Sequence, residues 1–390
     1  MKQKIVSYLK SIETDLFNIS KYLYDNPEES FKEFKSYKYL VNILKENNFN
    51  VQENYCNIPT SFCAEFGKGH PKICFFCEYD APNELGHISG HNLVSSISIG
   101  AALALSKVID KFSGTIIVMG TPGESLSGSK VTLAKQGAFK DIDVGLMAHP
   151  DIETCESGSS MSILPLKIKF KGEKTLSYEN PNIFSSLNGV LYTFNCINLL
   201  KQSIDEDFHI DKLIITSGND PYVSSNTTEA RFYIRSKNIS TGIYVENRIR
   251  QIVDNVKSIL NLDSEICFFE LPYRELITNK RLSRLFCHNL KEAGIIDICN
   301  EKNTVSGLSL GTVSHYIPCI HPYISILDKG NSVRYFTKEF RDETLKKYAH
   351  ENVMKTCQAL SLTALDLIEN GKLLQDIKKE FFNTIKQETN

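Results

Sequence analysis

Four short segments concentrate the residues able to handle protons or hold a metal ion. They are Glu78-Tyr79-Asp80-Ala81-Pro82, Gly86-His87-Ile88-Ser89-Gly90-His91-Asn92, Thr121-Pro122-Gly123-Glu124-Ser125 and Ala148-His149-Pro150. Asp80 and Glu124 bring carboxylates, and His87, His91 and His149 bring imidazoles. A glutamate in a partly dry pocket has a raised pKa and histidine titrates near neutrality, so such a set is able to move protons. Each residue alone is more simply read as a hydrogen-bonding group at the end of an element. Together they point to a site. Glu124, His91, His149 and Asp80 are the candidate catalytic residues. Ser89, Ser125, His87, Asn226 and His321 are the candidate substrate-binding residues.

The elements that must position these groups follow from apolar patterning. Ile5, Leu9, Ile12, Leu16, Ile19 and Leu23 form one stripe at spacings of four and three, which predicts a single helix ending at Asn26-Pro27. A second helix is expected over residues 31–47. Ile73–Cys77, Thr115–Met119 and Val144–Ala148 read as buried strands, with a helix over Val94–Ile109. Asp80, Glu124 and His149 then follow the C-terminal ends of strands, the edge where open α/β sheets bind ligands.

The middle of the chain changes character. Its strand and helix patterns run β-α-β-β-α-β over residues 163–272, the order of a ferredoxin-like module. The expected organisation is a discontinuous α/β domain (1–162 and 273–390) with a mixed, largely parallel sheet, carrying an inserted α+β domain (163–272). A helix over Asn279–Ala293, a strand around Ile317–Ile326 and one long helix from near Thr337 complete the first domain.

The four segments, in their order and intervals, resemble the active-site segments of the M20 metallopeptidase and amidohydrolase family, in its aminoacylase-like and dipeptidase subgroup. The stretches Ile58-Pro59-Thr60-Ser61-Phe62, Glu229–Arg235, Gly311-Thr312-Val313-Ser314-His315 and Ile320-His321-Pro322-Tyr323 extend the resemblance over nearly the whole chain. It implies a zinc-peptidase-like catalytic domain and an inserted lid domain that mediates dimers. It also implies two divalent ions sharing a water, with Glu124 as the proton-carrying base.

Departures from that pattern fall in the chemistry. His91 and His149 match metal ligands, but Ser89, Ser125 and Phe336 stand where the family places a Cys, a Glu and a His. Leu176 and Ser309 replace a lid histidine and an acidic residue. Serine hydroxyls are poor substitutes for a thiolate or carboxylate on a dication, and phenylalanine offers no lone pair. The resulting expectation is a site without a metal cofactor, or at most one weakly held Zn or Mn ion on His91 and His149. The function expected from this is metal-independent amide or acyl chemistry on an acylated amine, amino-acid conjugate or small peptide, including amide formation in a biosynthetic pathway. The alternatives are a non-catalytic binding protein and a weak single-metal amidohydrolase or dipeptidase.

Bulk properties agree with a globular enzyme-sized chain. The 390 residues exceed one ordinary core. A net charge of −2, with both signs interspersed, gives no sign of a nucleic-acid or membrane partner. Gly120-Thr121-Pro122-Gly123 lacks the lysine of a phosphate loop, and Glu124-Ser125-Leu126 is not a serine nucleophile elbow. A Ser89–His pair is the remaining nucleophile reading. Eleven scattered cysteines without a leader-like N-terminal segment read as reduced cytoplasmic thiols.

Overall fold

The N-terminal apolar stripe is buried throughout, but over two helices, Lys2–Ser11 and Glu13–Asp25. The break falls at Ile12 (φ −106°, ψ 12°), where Ser11 Oγ donates to the Tyr8 carbonyl at 2.7 Å and competes with the helical ladder. This computed structural model describes residues 1–389 except 83, 127, 177, 180, 181, 206 and 329, and omits the side chains of 388 and 389.

Two units divide the chain. The first comprises Met1–Ser159, Leu276–Thr304 and Ser309–Asn390, and the second Ser160–Glu275 with Val305–Leu308. In the first, six strands pair in the order Asn50–Glu53, Phe62–Lys68, Gly114–Gly120, Lys72–Cys77, Val144–Leu146, Cys319–Ile320. The last four run parallel, and the first two add antiparallel partners at one edge. The sheet is therefore mixed. Strand Lys72–Cys77 lies in its interior, which explains its unbroken apolar run.

Helix His91–Ser106 is buried along its whole length. It packs against helix Lys347–Glu369, and Ser361 Oγ donates to the Ala101 carbonyl at 3.0 Å. Gly100 sits at a close approach: a Cβ there would lie 2.7 Å from Cys357 Sγ.

Two C-terminal expectations change. The strand expected around Ile317–Ile326 is two short strands, Cys319–Ile320 and Tyr323–Ser325, in different sheets. The long final helix is three, Lys338–Glu343, Lys347–Glu369 and Gly371–Thr389. The strands Asn50–Glu53 and Cys299–Gly307 carry few buried residues, which is why patterning does not reveal them.

In the second unit, Cys155–Lys171 continues from the first and pairs antiparallel with Thr227–Ser236 and Asp263–Phe268. Phe208–Ile210 and Ile214–Thr216 pair on the outer side of Thr227–Ser236. Helices Ser186–Ser203 and Ile239–Leu260 cover the sheet, burying Leu164, Phe170, Phe232, Val245 and Ile249. This is the ferredoxin-like strand arrangement. Among the described residues no helix is long and apolar enough to cross a membrane.

Candidate metal and catalytic site

Strand Lys72–Cys77 delivers Glu78 and Asp80 to its C-terminal end, where both are buried. Gly90, with φ +84°, turns the chain into the following helix and makes His91 its first residue. A Cβ on Gly90 would lie 2.4 Å from Pro150 Cγ, so the absent side chain lets the His91 and His149 segments meet.

Both histidines have Nδ1 tied down. In His91, Nδ1 donates to the Asp80 carbonyl at 2.9 Å, and the Asp80 carboxylate oxygen Oδ1 lies 2.8 Å from the same nitrogen. In His149, Nδ1 donates to the Pro150 carbonyl at 2.8 Å. A carbonyl only accepts, so each Nδ1 carries the proton and Nε2 is the atom left for a ligand. The two rings are edge to face, 5.7 Å apart at their centroids. Glu78 Oε2 lies 3.4 Å from His91 Nε2. Glu78, His91 and His149 each present a ligand atom within 4.8 Å of the others, and all three are buried. Two imidazoles and a carboxylate form a donor set of catalytic zinc sites that keep a fourth position open. The outer oxygens on both Nδ1 atoms supply the second layer that such ligands need. These residues therefore fit a divalent ion.

Glu124 lies apart from that triad, across one side chain. Lys130, with no exposed surface, hydrogen-bonds through Nζ to Glu78 Oε1, to Glu124 Oε2 at 2.9 Å and to Ser309 Oγ at 3.3 Å. Ser309 in turn donates its N–H to Glu124 Oε1 at 2.9 Å and its hydroxyl to Glu124 Oε2. Helix Ser129–Lys135 packs on helix Ser309–Val313, which brings these side chains together.

Charge settles around these contacts. Burial pushes the Asp80 carboxyl up, but the His91 charge and the Ser125 N–H outweigh it and hold Asp80 well below the usual carboxylate range. Burial would lower His91, but Asp80 and then Glu78 raise it to about 9. Burial, then His321 and His91, hold His149 well below its ordinary value. Glu124 is lowered, because Lys130 and Ser309 outweigh its burial. Burial raises Glu78 despite Lys130. Burial raises Glu33 to about 7, with Asp80 adding to it.

The other candidate residues are placed as follows. Ser125 is exposed, and its N–H donates to Asp80 Oδ2 at 2.8 Å, an oxygen that also accepts from Ser30 Oγ at 2.9 Å. Ser89 is buried, and its hydroxyl has no hydrogen-bond partner. His87 is fully buried, which lowers it to about 3. The rings of His321 and His149 stack 5.3 Å apart, and burial lowers His321 to about 4. Asn226 belongs to the second unit, where its carbonyl accepts from the Gly172 N–H at 2.9 Å. Leu176, also in that unit, bridges to Val223. Phe336 is half exposed with φ +66°, and its neighbour Tyr335 is the ring near His149, at 6.4 Å.

Glu78 and Lys130 were not among the sequence candidates. Glu78 is two residues from Asp80, a spacing that shares one strand face. Lys130 falls in the first turn of a helix, where the macrodipole opposes a cation, so a local anion was the available clue. Glu153, Cys155 and Cys299 also group within 4.8 Å, though only Cys155 is buried.

The fold and this site define a metallopeptidase-like amide hydrolase scaffold. The chain resembles the M20 amidohydrolase/peptidase family in sequence and in fold. It is 25% identical to the Xaa-Arg dipeptidase of Mus musculus, over 100% of this chain and 94% of that protein. It is 27% identical to one subunit of the p-aminobenzoyl-glutamate hydrolase of Escherichia coli, over 71% of this chain and 62% of that one. The Bacillus subtilis YxeP protein, described as a dinuclear metal-binding peptidase from the M20 family, superposes with a TM-score of 0.70 at 16% identity, covering 92% of this chain and 99% of that one. No sequence-family model matches.

These findings overturn the expectation of a site without a metal cofactor. That expectation counted the side chains lost at Ser89, Ser125 and Phe336 and overlooked Glu78, which supplies a carboxylate beside His91 and His149. The metal-free and amide-forming readings rested on it and lose their motive.

Proposed function

We propose that the protein hydrolyses an amide bond in a dipeptide or N-acyl amino acid, using a divalent ion held by Glu78, His91 and His149. The observation that carries this reading is the convergence of those three buried ligand atoms within 4.8 Å, on a scaffold whose relatives are a dipeptidase and an aminobenzoyl-glutamate hydrolase. A bound ion there supplies Lewis-acid polarisation of the scissile carbonyl and a water of lowered pKa. Glu124 is ionised, and its carboxylate is the group that takes the proton of the attacking water and returns it to the leaving amine. Asp80 holds the His91 ring in the tautomer that turns Nε2 inward. Neutral His321, stacked on His149, and the unpartnered Ser89 hydroxyl are the groups assigned to substrate.

The reading includes a homodimer through the second unit, supported by its exposed Leu191, Leu199, Ile214 and Tyr244. It also includes a cytoplasmic setting, supported by eleven free thiols. The test is hydrolysis of a panel of dipeptides, including Xaa-Arg, and of N-acyl amino acids and aminobenzoyl-glutamate. Turnover with added Zn or Mn and its loss on chelation are expected. No turnover on any member with either ion would reject the proposal.

A further inference from the structure

We infer that the Lys130 ammonium is a built-in second cation of the site, and that it restricts the centre to one divalent ion. The inference rests on the hydrolase reading above and adds a role for a residue that reading does not use. Lys130 is a fully buried lysine whose three N–H hydrogens meet three acceptors: Glu78 Oε1, Glu124 Oε2 and Ser309 Oγ. It has no donor to spare and no exposed surface. Its contact with Glu78 Oε1 leaves that carboxylate to present Oε2, the oxygen nearer His91, to an ion.

Charge balance points the same way. The carboxylates that touch a candidate ligand or Lys130 are Glu78, Asp80 and Glu124, three negative charges. With an ion on its Nε2 the His91 imidazole is neutral, so one dication and one ammonium carry three positive charges and balance the carboxylates in a buried space. Two dications beside the ammonium would leave an excess that no group in contact offsets. A second ion would also need carboxylate oxygens that Lys130 and Ser309 already hold. Serines, at 125 and 309, flank this part of the site, where neither adds a charge for another metal. Lysine thus does as a fixed, covalently attached cation what a second ion would do: it holds Glu124 and Glu78 together and keeps Glu124 ionised.

The test is metal counting on the full chain, equilibrated with Zn or Mn, desalted and measured by elemental mass spectrometry. The wild type is expected to hold one ion per chain, Lys130→Arg also one, and Lys130→Ala two, because two carboxylates are freed. Two ions in the wild type would overturn the inference and leave the hydrolase reading standing. An unchanged count and affinity in a folded Lys130→Ala would overturn it as well. The wild-type count decides the matter even where Lys130→Ala fails to fold. A wild type holding none would reject the one-ion hydrolase reading; Lys130→Ala would then support exclusion by the lysine if it gained an ion, and overturn it if it stayed empty.

Discussion

Asp80 grips His91 twice, through its own main-chain carbonyl 2.9 Å from Nδ1 and through its carboxylate Oδ1 at 2.8 Å. The same carboxylate takes the hydroxyl of Ser30 and the N–H of Ser125 on its other oxygen, so it is anchored on both sides. An aspartate held this way orients the ring and raises its basicity toward an ion. Asp80→Asn is expected to weaken Zn or Mn binding by about 10–100-fold, the usual effect of losing an outer partner. Competition with a chromophoric chelator measures it, and wild-type affinity in the variant would contradict the assignment.

Glu124 has a separable role. It touches Lys130 and Ser309 and is not one of the three ligand donors. Glu124→Gln should therefore keep the metal count while lowering kcat on a cleaved dipeptide by about 10²–10⁴-fold, the range for losing a general base. Equal loss of metal and activity would place Glu124 among the ligands instead.

A structural prediction concerns Asp143, at the opposite end of strand Val144–Leu146 from the His149 segment. Its carboxylate accepts from Lys378 Nζ and from the Lys72 N–H at 2.6 Å, and pairs with His70 Nδ1 at 2.6 Å. Burial pushes its pKa up, but Lys378, His70 and Lys72 outweigh it, so the folded value lies below the ordinary 3.8. A depressed folded pKa gives stability that is present above 3.8 and is lost as pH falls through the folded value. Asp143→Asn is expected to destabilise by about 1.5–3 kcal/mol at neutral pH. The difference from wild type should shrink as pH falls below 3.8. Denaturant melts at several pH values provide the check.

Gly158 offers a backbone test. A Cβ there would lie 2.3 Å from the Lys302 carbonyl oxygen, a main-chain atom that cannot swing away. Gly158→Ala should cost about 1–3 kcal/mol, as other overpacked sites do. An unchanged midpoint in calorimetry would show that the two strands separate more easily than their contact implies.

Legibility in the sequence followed the range of the interactions. Strands Lys72–Cys77 and Gly114–Gly120 are continuous apolar runs, so local pattern located them within a residue or so. The two-residue strand Cys319–Ile320 carries no periodicity and is defined only by its pairing with Val144–Leu146. At the site, His91 and His149 stood out by residue type and segment. The role of Lys130 did not, because it depends on Glu78, 52 positions away, and Ser309, 179 positions away. Counting missing ligands at Ser89, Ser125 and Phe336 gave the wrong answer on metal. Residue-by-residue matching cannot see a carboxylate such as Glu78, which stands beside His91 and His149 at a position the pattern does not reserve.

The packing of helix His91–Ser106 against helix Lys347–Glu369 also has a consequence for biosynthesis. Beyond His91 and Asn92 the earlier helix leaves the ribosome with only apolar and small residues, while helix Lys347–Glu369 is still untranslated. At about 5–20 residues per second, the intervening chain takes roughly 10–50 s to emerge. For that interval the segment bearing His91 is an exposed sticky surface, and a nascent-chain chaperone or the half-built sheet must shelter it.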